Sequence, residues 1–175
     1  MNFSTINTFD IVNGTGIRVS LYVSGCSHHC KGCFNSQTWD KNFGEKFGKE
    51  QEDLILSYLK KPEYKGLTLL GGEPWEPYNQ EVLVEFLERV KNECPDVNIW
   101  SFSGYTWEEL HDKNYRCYTE NTEKMLSYID VLIDGEFHEE ERDITLTFRG
   151  SKNQRIIDVK KTEETGKLVL WEGDN

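Results

Sequence analysis

Long apolar runs are missing from this 175-residue chain. No stretch approaches the roughly 20 apolar residues that a membrane-spanning helix needs, which argues against a membrane protein of that kind. Residues 1–7 lack the basic start and apolar stretch of a secretion signal, so the expected location is the cytoplasm. Positive charge is scarce. Twenty Lys and Arg stand against 31 Asp and Glu, a formal net charge of −11, which argues against a nucleic-acid partner held by phosphate contacts. Cysteine is sparse, odd in number at five, and unevenly placed. That excludes a regular disulfide framework and suits a reducing compartment. Repeats, low-complexity tracts and composition breaks are absent as well, so residues 1–175 are expected to form one soluble domain.

What is present is concentrated. Cys26, Cys30 and Cys33 read C-x-x-x-C-x-x-C within Gly25-Cys26-Ser27-His28-His29-Cys30-Lys31-Gly32-Cys33-Phe34-Asn35. One short loop with this spacing can wrap three thiolates around a compact metal centre. A [4Fe–4S] cube normally takes four cysteine ligands, so three would leave one iron open to a small molecule. Spacing alone leaves two other readings open. Structural zinc could use His28 or His29 as a fourth ligand, although the usual second C-x-x-C or H-x-x-x-H arm is missing. A redox pair at Cys30 and Cys33 would leave Cys26 unexplained. Cys94 and Cys117 lie outside the loop and read as buried structural thiols.

Periodicity places the elements. Residues 17–23 form a strand that meets Gly25 just before the first cysteine. Residues 50–60 form a helix with Leu54, Ile55, Tyr58 and Leu59 inward, ended by Pro62. A strand at 66–70 runs into Gly71-Gly72, and a helix over 80–92 carries the stripe Val82, Leu83, Phe86, Leu87 and Val90. A strand at 97–102, a short helix near 106–110, a helix over 121–128 and a strand at 131–133 follow. Alternation of this kind predicts a mainly parallel sheet covered by helices. Strands are also expected at 144–148, 155–161 and 167–171, the last two forming a short C-terminal β hairpin around the turn 163–166.

The chemistry-bearing loops all follow strand ends, where active groups of parallel α/β folds collect. They are the cysteine loop, Gly71-Gly72-Glu73-Pro74, Ser103-Gly104-Tyr105 and Asp134-Gly135. Paired glycines let backbone approach a ligand, and Glu73 can accept hydrogen bonds from an ammonium group. Alone, that motif reads equally as an ordinary turn. Asp134 is a turn residue or a contact to cofactor or partner, Arg18 a candidate to pair with a carboxylate near the pocket, and Trp75 a shield for the site. The acidic stretch 136–143 is a solvated surface or a docking face.

Taken together, the cysteine triad and Gly71-Gly72-Glu73-Pro74 resemble the radical S-adenosylmethionine superfamily. Within it the chain is most similar to the activases of anaerobic ribonucleoside-triphosphate reductase. The closer likeness rests on Asp10-Ile11-Val12-Asn13-Gly14-Thr15-Gly16-Ile17-Arg18, Ser103-Gly104-Tyr105, Val131-Leu132-Ile133-Asp134-Gly135-Glu136-Phe137 and Arg149-Gly150-Ser151-Lys152-Asn153-Gln154-Arg155. The resemblance implies a partial, open (β/α) barrel, since a full barrel typically needs about 250 residues. It implies that Cys26, Cys30 and Cys33 bind three irons of a [4Fe–4S] cluster, with S-adenosyl-L-methionine chelating the fourth. Gly71, Gly72 and Glu73 would hold the methionine ammonium. Many superfamily members have an aromatic residue before the third cysteine; here it is Gly32, so adenine contact would fall to Gly32, Cys33 and Phe34.

The implied reaction is one-electron cleavage of S-adenosylmethionine to a 5′-deoxyadenosyl radical, which abstracts hydrogen from a glycine of the reductase's large subunit. No side chain need act as acid or base. The implied partners are that subunit and a low-potential electron donor such as a flavodoxin or ferredoxin, and the resemblance also allows a homodimer. A neighbouring reading is activation of another glycyl-radical enzyme such as pyruvate formate-lyase, whose activases are usually longer. The rival from another class is a non-catalytic, zinc-stabilised binding module.

Overall fold

The parallel ladder expected from the alternating pattern forms the middle of a seven-stranded sheet in the computed structural model, which describes residues 1–173. In chain order the elements are β1 (Asn2–Asp10), β2 (Ile17–Val23), β3 (Glu45–Lys46), α1 (Lys49–Leu59), β4 (Tyr64–Gly71), α2 (Pro77–Glu93) and β5 (Asn98–Phe102). Then come α3 (Trp107–His111), α4 (Thr122–Tyr128), β6 (Val131–Asp134), β7 (Arg155–Asp158) and α5 (Val159–Thr165). The strand order is β3-β1-β2-β4-β5-β6-β7. β2, β4, β5 and β6 are parallel, while β1, β3 and β7 are antiparallel to their neighbours. The fold is therefore mixed α/β with an open, unclosed sheet. Among the described residues no helix is long and apolar enough to cross a membrane.

Period-two alternation divides the sheet residues between two faces. Val19, Leu21, Val23, Leu67, Leu69, Ile99 and Leu132 belong to the main core with Ile55, Leu56 and Leu59 of α1 and Leu83, Phe86, Leu87 and Val90 of α2. Leu56 takes the inward place expected for Leu54, which is 43% exposed. The opposite face carries Arg18, Thr68 and Trp100. The Arg18 guanidinium is wholly buried, donates to Thr68 Oγ1 at 2.7 Å and Asn98 Oδ1 at 2.6 Å, and lies over the Trp100 ring. It sits at the start of β2, the end of the strand away from the cysteines.

Two expectations are corrected. Residues 144–148 are turns rather than a strand: Asp143 Oδ1 accepts from the backbone N–H and hydroxyl of Thr145, Ile144 is 86% exposed, and β7 already pairs with β6. The C-terminal hairpin is replaced by a strand–helix unit. β7 stops at Asp158, whose carboxylate caps α5 by accepting from the Lys161 N–H, and Gly166 ends the helix at φ +66°. The returning chain still meets β7 through one antiparallel bridge, Ile157 to Leu170. The strands β1 and β3 were not anticipated. In β1 only Phe3 and Asp10 are buried, so it lacks an apolar stripe.

Candidate active site

The ladder between β2 and β4 ends with Val23 opposite Gly71, so the cysteine loop and the glycine turn leave the sheet side by side. They cross at once. Gly72 N–H donates to Val23 O and Glu73 N–H to Gly25 O, both at 2.8 Å. A Cβ on Gly72 would lie 2.5 Å from the Gly25 carbonyl oxygen, and one on Gly25 would lie 2.3 Å from the Tyr78 hydroxyl. The crossing therefore requires glycine on both chains. Beyond it the cysteine loop folds back on the 3₁₀ turn Ser36–Trp39, with Gly25 N–H donating to Thr38 O and Cys26 N–H to Trp39 O.

The start of α2 clamps the same loop. Glu76 Oε1 accepts from the Ser27 N–H at 2.8 Å and from its hydroxyl at 2.5 Å. Asn79 donates to the carbonyls of Ser24 and Glu73. Glu73 itself is 1% exposed. Its Oε1 accepts from Trp75 N–H (3.0 Å) and the Ser103 hydroxyl (3.1 Å), and its Oε2 from Gly104 N–H (2.7 Å). His28 Nε2 stands 3.1 Å from Oε2, while its Nδ1 is 2.6 Å from Glu136 Oε1. Burial works against charge on this ring, but Glu73 and then Glu136 outweigh it and raise His28 above its ordinary range.

The acidic stretch after β6 is solvent-exposed in large part, as expected, and is also tied to the site. Lys31 pairs with Glu139 at 2.9 Å, and the Arg142 guanidinium lies over the Phe34 ring. The stretch is held in turn by residues 149–155. Asn153 donates to Glu136 O, Gln154 Nε2 to Gly135 O, and Ser151 Oγ accepts from His138 N–H. Asp134 is buried, pairs with Arg155 and accepts from the Trp107 N–H at the start of α3, so its role here is to shape the turn.

These loops enclose a cavity of about 470 Å³. Cys26, Cys30, Cys33, Phe34, Gly71, Gly72 and Glu73 line it, as do Ser103, Gly104 and Gly135 from the other strand ends. All four strand-end loops singled out in the sequence thus meet in one place.

Residues 12–157 match the family model of a 4Fe-4S single cluster domain. Over 158 residues, 89% of this chain, the sequence is 47% identical to the anaerobic ribonucleoside-triphosphate reductase-activating protein of Haemophilus influenzae and 44% identical to that of Vibrio cholerae, covering 97% of each. The Escherichia coli protein of the same name is 38% identical over the same span, again with 97% of its length covered. The chain belongs to this family of reductase-activating proteins.

For a member of a cluster-bearing family, the donor set fits. The five cysteines are free, and the three in the loop line one cavity. Among the described residues no three His, Cys, Asp or Glu side chains gather closely enough for a single ion. A mononuclear zinc site needs such convergence; a cluster does not, because each thiolate addresses a different iron. Burial pushes the Cys26 thiol up to about 12, with Glu73 adding to it, and burial raises Cys30 as well. Any metal bound through these thiols would have to displace their protons.

The other singled-out residues separate clearly. Gly32, at φ +75°, faces Glu139 and does not line the cavity, whereas Cys33 and Phe34 do. His29 stacks on Trp39. Trp75 is wholly buried and donates to Ser101 Oγ, beneath the site rather than over it. Cys94 and Cys117 are buried away from the loop. Glu76 and Asn79 were not anticipated: their loop partners lie 49 and 55 residues away in sequence, and only the helix start at Pro77 marks them. Val12, Tyr22, Trp39, Phe102 and Phe137 complete an apolar lining that no short motif announces.

Proposed function

We propose that this chain is a radical S-adenosylmethionine enzyme, an oxidoreductase that activates anaerobic ribonucleoside-triphosphate reductase by generating a glycyl radical on its large subunit. The observation that carries this reading is the single cavity joining three free cysteines to the buried Glu73 through a glycine-only crossing. Cys26, Cys30 and Cys33 would hold three irons of a [4Fe–4S] cluster, and Glu73 would accept the ammonium of S-adenosylmethionine. The backbone at Gly71 and Gly72 admits the methionine portion closely, with Cys33 and Phe34 on the adenine side. When bound, the cluster would supply the one electron that cleaves the cofactor to methionine and a 5′-deoxyadenosyl radical, which would take hydrogen from a glycine Cα. The chain's own work is to bind, orient and keep water out, which Trp39, Phe102 and Phe137 do from the walls. We read the open sheet as a partial (β/α) barrel whose exposed side the reductase covers. A flavodoxin or ferredoxin in the cytoplasm would supply the electron.

The test is anaerobic reconstitution with iron and sulfide, reduction, and electron paramagnetic resonance with and without S-adenosylmethionine. A [4Fe–4S]⁺ signal that changes on adding the cofactor is expected, and single Ala variants of Cys26, Cys30 or Cys33 should abolish its cleavage. Full cleavage by any such variant, or a cluster blind to the cofactor, would return the loop to electron transfer or a structural role.

A further inference from the structure

The surroundings of Glu73 carry a consequence for ligand entry. A carboxylate offers about four acceptor directions. Three are taken by groups that cannot leave: the backbone N–H of Trp75, the backbone N–H of Gly104, and the Ser103 hydroxyl, whose oxygen also accepts from Tyr105 N–H at 2.9 Å. The fourth approach is filled by His28 Nε2 at 3.1 Å, and this nitrogen makes no aligned hydrogen bond. An ammonium can therefore reach Glu73 only where His28 now stands.

The ring is seated for such an exchange. Its side chain is 3% exposed and lines the cavity. It packs against Tyr105 with centroids 4.3 Å apart and the rings tilted by 59°, in a slot that exists because Gly104 has no side chain; a Cβ there would lie 2.6 Å from the imidazole. Its other nitrogen is held by Glu136, whose side chain is 47% exposed, against 1% for Glu73. The bridge Glu73–His28–Glu136 thus has one buried end and one half-exposed end.

We propose that His28 is a placeholder for the ammonium group of the incoming amino-acid cofactor, occupying its seat on Glu73 until the ligand displaces the ring toward Glu136. A buried carboxylate left short of partners is costly. The exchange of the ring for the ammonium keeps the fourth side of Glu73 covered before and after binding, and it denies the seat to water. Its consequence is competition: the imidazole weakens every ligand that carries an ammonium and no ligand that lacks one.

This inference rests on the cavity being the S-adenosylmethionine site. The test uses the holoenzyme with its cluster oxidised and no reductant, so that binding is read without turnover. The probes are S-adenosylmethionine and its deaminated analogue, which keeps the sulfonium, adenosine and carboxylate. His28→Phe keeps the ring on Tyr105 and removes both nitrogens. It should bind S-adenosylmethionine about fivefold tighter, with the analogue unchanged within about twofold. His28→Gln, which retains an N–H donor, should stay near wild type for both. Equal or weaker binding of S-adenosylmethionine by His28→Phe, or the same change for both probes, overturns the proposal. Should the Phe variant fail to take up a cluster, a structure of wild-type holoenzyme with the cofactor answers instead. His28 Nε2 must then lie beyond hydrogen-bond reach of Glu73, and a ring still 3.1 Å away refutes the exchange. Wild-type holoenzyme that binds neither probe overturns the functional reading itself, an outcome distinct from variants that merely match wild type.

Discussion

Asp10 shows how a single side chain builds the rim of the cavity. It is 1% exposed at the end of β1, and its carboxylate accepts from the N–H groups of Val12 and Asn13 and from the Asn13 side chain. Burial alone would raise its pKa, but the neighbouring Ser20 hydroxyl and the hydrogen bonds from Asn13 prevail and hold it below the usual range. A carboxyl depressed in the folded state stabilises fully above its unfolded pKa near 4, and that stabilisation is lost as pH falls through the lower folded value. Asp10→Asn should therefore be less stable than wild type in urea unfolding at pH 6, by about 1–3 kcal/mol. The gap should narrow steadily below about pH 4; a gap independent of pH would show that the charge is irrelevant. At this scale the meeting of the three cysteines and Glu73 in one cavity was legible, because both motifs are short and follow neighbouring strands. Asp134 was not, because its partner Arg155 comes from β7 and the choice between turn and contact depends on that approach.

Among the elements, those with an apolar stripe were the readable ones. α2 was anticipated over 80–92 and spans Pro77–Glu93, since its stripe sits on the sheet for its whole length. β1 escaped because its residues are mostly polar and half-buried, so its pairing with β2 is specified by backbone rather than by side-chain pattern. The C-terminal hairpin failed for a different reason. Val159 and Thr162 are buried three residues apart, a helical spacing, but the β-branched run leading into Val159 masks where the strand stops. Asp158 decides the matter as an N-cap. Asp158→Ala should cost about 1 kcal/mol in denaturant unfolding and lower helical circular dichroism; no loss in either would argue that capping does not set this boundary.

For the whole molecule, the cavity opens on the sheet face that α1 and α2 do not cover. The cysteine loop is pinned there by α2 on one side and by residues 136–142 on the other. Reductase docking over this opening should slow hydrogen exchange in residues 24–35, 71–75 and 134–154, and leave α1 unchanged. Protection centred on α1 and the outer surface of α2 would place the partner on the wrong face. The convergence of strand-end loops was readable because parallel order follows from alternation, whereas the strap over the loop joins segments about 110 residues apart that no local pattern connects. The ends of the sheet bear on assembly. β3, at one end, is only two residues long, exposed and charged, and β7, at the other, is met by the chain returning past Leu170. β3 pairs with β1 only at Asn2 and Phe3, so among the described residues the outer side of β1 beyond Phe3 has no strand partner, whereas β7 is covered. A second copy that extended this sheet would have to add its strand along that stretch of β1 and not beside β7.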